Sequence, residues 1–527
     1  MKRNSIKIVI IAGLISGSLV SCTKKLDLLP TNDITSAQVY STATGYKQAF
    51  AKVYGSFALT GNQGPAGNGD IQGIDEGTSD YFRLLWCAQE LSTDEAVIGW
   101  GDAGLPDFHN MSWSSSNVFL KGVYYRSMYQ ITLANDFIRQ SSDANLSSRG
   151  ISGTDADNIR RFKTEARFLR AYQYATLMDL FGNPPFVTEN DALGSTLPKQ
   201  ISRKDLFTYV ESELKAIDAG LADPKTNEYG RADKAAAWAL LARIYLNAKV
   251  YTGTDRYTDA ITYSKKVIGA GYSLISDYTK LMRADNNLNT NEFILTINYD
   301  GLHTQSYGGA TFMTHAPVGG SMPASEFGIS GGWGGARTTK ALVNLFPGGA
   351  SSADKRAQFY TSGQNLEINE IGTFNDGYGV TKFKNVKISG GAPQSLDFAD
   401  MDIPIFRLPE MYLTYAEAVL RGGTGGDAVT ALLYVNALRT RAYGNITGNL
   451  TSLTLDNILD ERGRELYWEG FRRTDLIRYG KFVEDTYLWP FKGGAKNGKG
   501  VESFRTIYPL PSSDVAANTN LKQNTGY

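Results

Sequence analysis

Apolar residues that recur at helical spacing are the feature that most constrains this fold. The segment 233–250 carries them at intervals of three and four: Trp238, Leu241, Tyr245 and Ala248. Such spacing places side chains on one face of an α-helix. The segment 257–268 repeats the pattern, and alanines at the contact positions let two helices approach closely, as in tetratricopeptide-type hairpins. We therefore predict a helical hairpin over these two segments.

Two further pairs of segments show the same periodicity. Segment 162–181, rich in Ala and Tyr, is expected to pair with 206–219, and 411–420 is expected to pair with 428–443. The predicted fold class is therefore mostly α, with tetratricopeptide-like helical hairpins at about 159–268 and 407–443.

Glycine-rich segments interrupt the helical pattern. Segments 61–80 and 99–116 are rich in Gly, Ser, Asn and Asp, and 292–312 begins with an alternating apolar run that is typical of a strand. Loops of this length are uncommon unless they are functional. We predict that the helices pack against an irregular loop-rich part with short strands, and that its ligand-binding loops lie at about 61–116 and 292–337.

The N-terminus is predicted to be a secretory signal and not part of the fold. A basic start and a short apolar run lead through Leu19-Val20-Ser21 into Cys22, which matches a bacterial lipobox. The alternative is an ordinary signal peptide followed by a chance cysteine. We expect a signal peptide over 1–21, a lipidated tether over 22–30 with Cys22 as the lipidated residue, and a single domain over 31–527.

Composition excludes some classes of function. The chain has 53 basic and 53 acidic side chains, and this balance argues against nucleic acid as a partner. No later stretch approaches 18 apolar residues, which favours a globular body on a lipid tether. If Cys22 carries lipid, Cys87 has no disulfide partner and is expected to be a small buried hydrophobe.

The sequence does not match most of the patterns that are typical of catalytic sites. The three histidines show no zinc-binding spacing: His109, His303 and His315. Gly328–Gly332 matches GxSxG, but the glycines around it favour a chance match. Asp75-Glu76 and Asp94-Glu95 are carboxylate pairs of the kind that a glycoside hydrolase uses, although adjacent acids more often solvate a loop or cap a helix. The dense charges of 460–475 are interpreted as a structural ion network.

Three aromatic residues lie beside glycines in the predicted loops: Trp100, Tyr307 and Trp333. A pyranose ring has an apolar C–H face and a rim of hydroxyls, so a sugar-binding site needs an aromatic platform and a few planar polar groups. Such groups lie near the first of these rings in the sequence: Asp75, Arg83 and Asp102. The alternative is that each tryptophan fixes its loop to the core.

Four segments carry a resemblance to a known family. The first runs from EARFLRAYQY at Glu165 to LFGNPPFV at Leu180, and the second is RLPEMYLTYAEA at Arg407. The third runs from DERGREL at Asp460 to FRRTDLIR at Phe471, and the fourth comprises YPLP at Tyr508 and the closing NLKQNTGY. Together with the lipobox, these segments make the chain similar to the SusD/RagB nutrient-uptake lipoproteins of the Bacteroidetes outer membrane, nearly from end to end.

The resemblance implies a non-catalytic lipoprotein anchored in the outer membrane and exposed on the cell surface. Members of this family capture glycans, or peptides in some branches, and deliver them to a SusC-like TonB-dependent porin for import. The resemblance implies carbohydrate contacts at the loop residues Asp75, Arg83, Trp100, Tyr307 and Trp333, to which Asp102 is added for its nearness in the sequence. No cofactor is expected, and the sequence leaves calcium binding open.

Three positions depart from the pattern of the starch-binding member. Asp102-Ala103 stands where an asparagine contact is expected, and Ile98 replaces an additional tryptophan. Thr23-Lys24-Lys25 lacks the acidic pair usual for surface export, so surface exposure is inferred from the family alone. An α-glucan such as starch is therefore one hypothesis for the ligand. A surface glycoside hydrolase and a peptide-binding relative are the alternative functions.

Overall fold

The computed structural model describes residues 36–67, 69–191, 194 and 197–527. The predicted signal peptide and the tether with Cys22 lie outside these ranges. Within them, every helix is too short or too polar to cross a bilayer.

The described residues form eighteen α-helices and eight short strands. The helices are α1 (Ser36–Val39), α2 (Ala43–Gly55), α3 (Tyr81–Glu90), α4 (Pro106–Asn110), α5 (Val118–Gln140), α6 (Asp143–Ser148), α7 (Gly153–Leu180), α8 (Arg203–Ile217), α9 (Lys234–Leu246), α10 (Ala248–Thr252), α11 (Tyr257–Ile268), α12 (Gly309–His315), α13 (Lys340–Asn344), α14 (Leu408–Leu420), α15 (Ala428–Tyr443), α16 (Leu455–Leu466), α17 (Arg472–Arg478) and α18 (Ser512–Ala517). The strands are β1 (Ala96–Ile98), β2 (Pro185–Phe186), β3 (Lys199–Gln200), β4 (Phe293–Ile297), β5 (Ala336–Thr338), β6 (Phe359–Tyr360), β7 (Gly379–Val380) and β8 (Ile403–Arg407). The mostly α fold class predicted from the sequence is confirmed.

The long helices pack in pairs, and contacts between the pairs join them. Helix α7 packs on α8, α9 on α11, and α14 on α15, which are the three hairpins predicted from the periodicity. Contacts between α11 and α14 join the second and third pairs. Asp233 caps the start of helix α9, where its side chain accepts the Ala236 N–H at 3.1 Å, and the alanines of this helix are fully buried.

The predicted length of one helix is wrong. The apolar stripe of 233–250 predicts a continuous helix, but the structure ends α9 at Leu246 and starts α10 at Ala248. Asn247 stands at the break, where its Nδ2 donates to the Arg243 carbonyl at 2.9 Å and its Oδ1 accepts from the Arg478 guanidinium at 2.8 Å. Because Arg478 lies on α17, far away in the sequence, the local periodicity cannot predict this contact.

The strands pair two by two, all antiparallel: β1 with β5, β2 with β3, β4 with β8, and β6 with β7. Strand β4 is the one predicted from the alternating run at residue 293, and all five of its residues are buried against the helices. The two segments expected to carry loops also contain ordered elements, since 61–116 includes α3, β1 and α4, and 292–337 includes β4 and α12.

A buried arginine holds the first loop segment against the helices. The guanidinium of Arg126, on α5, is fully buried. It donates to the carbonyl oxygens of Ser79 at 2.9 Å and Thr60 at 3.2 Å. Because these bonds satisfy buried carbonyl groups, they fix the path of the loop between residues 60 and 79 on the helical core.

The charged run 460–475 forms part of a buried ion network. Arg407, at the end of β8, pairs with Glu465 at 2.6 Å and with Glu469 at 2.7 Å. Glu465 also pairs with Arg356 and Arg441, and its side chain is fully buried. Burial alone would raise the pKa of Glu465, but the three guanidinium groups together lower it. The structural interpretation of this run is therefore confirmed.

We predict that Glu465→Gln destabilises the fold strongly. The substitution keeps the shape of the side chain but leaves buried guanidinium charges without their counter-charge, which costs about 3–5 kcal/mol of unfolding free energy. Urea unfolding at neutral pH measures the loss as a lower transition midpoint. Arg160→Gln is the control, because Arg160 pairs with Asp143 and Asp157 on the exposed surface of α7. Equal midpoints for the two variants would contradict this role of the network.

Candidate functional site

The pairing of β1 with β5 brings together two tryptophans that are 233 residues apart in the sequence. Ile98 stands opposite Ala336 at one end of this pair. The Gly99 N–H donates to the Gly335 carbonyl at 3.0 Å and extends the pairing by one step. Trp100 is the residue after Gly99, and Trp333 lies two residues before Gly335, so the two residues meet where the strands separate, with Trp100 Nε1 donating to the Trp333 carbonyl at 3.4 Å.

The rings of Trp100, Trp333 and Tyr307 form a consecutive series, here called the aromatic platform. The ring centroids of Trp100 and Trp333 are 6.3 Å apart with planes inclined by 46°, and those of Trp333 and Tyr307 are 6.4 Å apart and inclined by 56°. Tyr307 is 40% exposed, and both tryptophans are partly exposed. Both tryptophans thus pack on the core, as the alternative interpretation expected, and all three rings also present surface to solvent.

Glycines allow the close packing that positions these rings. A Cβ atom on Gly335 would lie 2.2 Å from the indole of Trp100. At the other end of the platform, a Cβ on Gly77 would lie 2.5 Å from the Cβ of Tyr307, and one on Gly308 would lie 2.0 Å from the Cβ of Asp80. Real side chains do not approach this closely, so the glycines are needed for the loops to meet.

Three residues absent from the predicted site support the platform from below. His315 is buried under Trp333, with ring centroids 5.0 Å apart, and its carbonyl accepts the Trp333 N–H at 2.9 Å. Phe312 packs edge-on against Trp100 at 6.2 Å, and Phe398 lies 5.3 Å from Tyr307. These buried side chains carry no local signal of a ligand site, because their role depends on contacts between distant segments.

Arg83 lies against the platform and carries unused donors. Its guanidinium packs over Phe312 at 4.8 Å and over Trp100 at 5.8 Å, and Nη1 donates to the Tyr307 carbonyl at 3.2 Å. Among the described residues, Nε has no hydrogen-bond partner, but this atom is buried, so a ligand would contact the outer nitrogens of the guanidinium. Burial lowers the pKa of Arg83, and the carboxylates of Asp75, Asp80 and Asp102 oppose this shift. An arginine remains charged in any such environment, so Arg83 can donate to a ligand at this edge.

The two predicted carboxylates lie within electrostatic range of Arg83. Asp75 and Asp102 are both exposed. The Oδ1 atom of Asp75 accepts from the backbone N–H of Thr78 at 3.2 Å and from its hydroxyl at 3.3 Å, which fixes the side chain. The structure therefore brings the three rings and Arg83 into contact, and it relates Asp75 and Asp102 to them through the effect of their charges on Arg83.

Comparison with known proteins identifies the family. Over the whole chain, the sequence is 35% identical to the starch-binding protein SusD of Bacteroides thetaiotaomicron, and the alignment covers 100% of both proteins. The chain belongs to the SusD family. Residues 348–527 match the SusD family itself, and residues 106–246 match a family described as starch-binding and associating with the outer membrane.

Solved structures with low sequence identity share the fold of this SusD-family chain. A laminarin-binding SusD-like protein superposes with a TM-score of 0.69 at 22% identity, over 92% of this chain and 99% of its own. The surface glycan-binding protein A from Bacteroides fluxus gives a TM-score of 0.70 at 21% identity, over 92% of this chain and 100% of its own.

The carboxylate pairs considered for hydrolysis are not placed to flank a sugar. Asp94 is fully buried and pairs with Arg472 at 2.6 Å, and Glu95 is also buried. Glu76 is buried as well and accepts a hydrogen bond from the Thr60 hydroxyl, which leaves only Asp75 of its pair at the surface. The expectation that adjacent acids solvate a loop is thus wrong for Asp94 and Glu95.

The remaining catalytic patterns also lack the required geometry. Ser330 follows a short 3₁₀ helix and Gly328, so it does not lie on the strand-to-helix turn that GxSxG requires. Its hydroxyl donates to Asp397 and not to a histidine. Cys87 is buried, as expected of a small buried hydrophobe, and this burial raises the pKa of its thiol to about 12. In the described part of the chain, no group of three or more His, Cys, Asp or Glu side chains is arranged to hold a metal ion.

We predict that Gly335→Ala disturbs the platform whereas Gly331→Ala does not. The new methyl group at 335 meets the indole of Trp100 and forces it to move, while a Cβ at 331 has no heavy atom within 4 Å. Near-ultraviolet circular dichroism reports the environment of the tryptophans, and thermal unfolding reports stability. We expect an altered spectrum and a lower midpoint for the first variant only. A wild-type spectrum for Gly335→Ala would show that this close packing does not hold Trp100.

Proposed function

We propose that this SusD-family chain is a non-catalytic protein that binds oligosaccharide or polysaccharide on the aromatic platform. The observation that supports this most strongly is the series of three partly exposed rings, Trp100, Trp333 and Tyr307, with Arg83 at its edge. Aromatic faces bind the apolar C–H faces of sugars, and planar charged groups bind their hydroxyls in pairs.

The planes of neighbouring rings in the platform are inclined to each other, which favours a ligand whose successive sugars turn along the chain. Inclinations of 46° and 56° between neighbouring planes would hold a straight, flat chain poorly, because it could lie on only one ring at a time. An α-glucan coils and can present successive sugars to successive rings. The name of the B. thetaiotaomicron relative, a starch-binding protein, supports the same class. We therefore propose an α-glucan such as starch as the ligand.

We also propose that the chain acts at the outer membrane. A lipid on Cys22 would anchor the chain in the outer membrane, and the family description of residues 106–246 supports association with that membrane. We propose that the chain delivers its glycan to a SusC-like TonB-dependent porin. No cofactor or calcium ion is needed for the stacking and hydrogen bonding described above.

We predict that the mature chain is retarded in native gels that contain starch, and that the platform variants are not. Trp100→Ala, Trp333→Ala and Tyr307→Ala each remove one stacking surface, and each is expected to weaken binding about tenfold or more, equivalent to about 1.4 kcal/mol. Trp238→Ala is the control, because Trp238 is a partly exposed tryptophan on the helical stack, where it hydrogen-bonds to Asp218. Levan, xyloglucan and mannan gels test the other glycan classes.

The outcomes separate the alternative functions. Retardation by a different glycan, lost in the same variants, keeps the platform and corrects the ligand. Retardation by no glycan contradicts glycan binding by the isolated chain and favours a peptide ligand. Release of new reducing ends from the gel polysaccharide would identify a hydrolase and overturn the non-catalytic proposal.

A further inference from the structure

The segment 395–398 lies beside two rings of the aromatic platform. Phe398 packs against Tyr307, with ring centroids 5.3 Å apart. The carbonyl of Leu396 accepts the backbone N–H of Ser330 at 2.9 Å, three residues before Trp333. Asp397 therefore stands between two residues that contact the loops of Tyr307 and Trp333.

The backbone of this segment is fixed on both sides. The Ser395 carbonyl accepts from the Asn385 side chain at 2.8 Å, and the Ser395 hydroxyl accepts from the N–H groups of Asp397 and Phe398, both at 3.2 Å. The Ala399 N–H donates to the hydroxyl of Thr311 on α12 at 3.1 Å. A ligand that binds here would not have to order the segment first, which lowers the cost of binding.

The carboxylate of Asp397 is exposed, and only one of its two oxygen atoms accepts a hydrogen bond from the described part of the chain. Its Oδ1 atom accepts a hydrogen bond from the Ser330 hydroxyl, and both side chains are exposed. Within the described ranges, Oδ2 accepts no hydrogen bond from the protein. Burial lowers the pKa of His315, which lies under Trp333, and this shift is opposed first by hydrogen bonds with the Thr311 and Leu396 backbone and then by the charge of Asp397. The backbone of Leu396, next to Asp397, therefore contacts the imidazole beneath the central ring.

We propose that Asp397 is a ligand-contacting residue at the Trp333–Tyr307 end of the platform, where it accepts hydrogen bonds from sugar hydroxyls. This inference rests on the proposed glycan-binding function and extends the binding site beyond the six residues predicted from the sequence. A carboxylate accepts two hydroxyl donors at once, so Asp397 orients the sugar that stacks on Trp333 as Arg83 orients the sugar near Trp100.

A contact with Asp397 also indicates which net charge the ligand can carry. With Asp397, the solvent-accessible charged groups assigned to the platform are the carboxylates of Asp75, Asp102 and Asp397 and the guanidinium of Arg83, while the Arg337 guanidinium beneath the loops is buried and donates to the Gly335 carbonyl at 3.0 Å. A neutral glycan donates hydroxyls to these carboxylates. A glycan that carries uronates or sulfates meets like charges, which cost binding free energy. The site therefore selects neutral glycans.

Titration calorimetry with maltoheptaose and laminariheptaose tests the contact. Asp397→Ala is expected to weaken the binding of the neutral oligosaccharide that the wild type binds by about tenfold, because a hydrogen bond to a charged group is lost. Asp397→Asn keeps one acceptor oxygen and is expected to lose less. Asp427→Asn is the matched control, since Asp427 is an exposed carboxylate on the helical stack that also accepts a hydroxyl hydrogen bond, from Thr430 at 2.8 Å. It should bind as the wild type does.

The results distinguish this inference from the proposed function. Wild-type affinity in Asp397→Ala, with binding lost in Trp333→Ala, overturns the role of Asp397 and leaves the platform intact. Absence of binding to both oligosaccharides and to the gel polysaccharides overturns both proposals. Oligogalacturonate, an anionic probe, is expected to bind the wild type at least about tenfold more weakly than the neutral ligand. Equal affinity would overturn the charge selection.

Discussion

Buried ion pairs connect the helical stack to the loops that carry the candidate site. Arg472, at the start of α17, binds both carboxylate oxygens of Asp94, and the Trp468 N–H donates to Glu95 at 3.0 Å. These two acids directly precede β1, which leads to Trp100. The carbonyl of Glu95 also accepts the hydroxyl of Thr338, on β5, at 2.9 Å. One buried contact region therefore sets where β1 begins and where β5 ends, and through these strands it sets where Trp100 and Trp333 meet.

This arrangement explains how long loops present a rigid surface. Buried ionic groups are expensive to desolvate, so their stabilising effect requires that nearly every charge has a partner. Arg407, Arg356 and Arg441 share Glu465 in this way, and Arg126 similarly satisfies buried carbonyl groups of the first loop segment. Side chains fixed beforehand lose little entropy when a ligand binds. Because sugars gain little free energy per contact, a pre-formed platform suits a glycan-binding function better than mobile loops would.

The sequence predicts features that depend on local patterns, but it does not predict features that depend on contacts between distant segments. Helical periodicity predicts the three hairpins, and glycines beside aromatic residues single out Trp100, Tyr307 and Trp333. The break at Asn247 escapes the pattern because Arg478, 231 residues away, holds that side chain. Phe312, His315 and Phe398 were not predicted for the same reason, since they support the platform through contacts between distant segments. Asp397 is one acid among many until the structure places it beside Ser330.

The most direct test of this account is a crystal structure of the chain soaked with maltoheptaose. The account predicts glucose rings stacked on Trp100, Trp333 and Tyr307, following their successive inclinations, with Arg83 hydrogen-bonded to hydroxyls at the Trp100 end. Glucose bound elsewhere on the surface, with the three rings uncovered, would contradict the claim that the aromatic platform is the glycan-binding site.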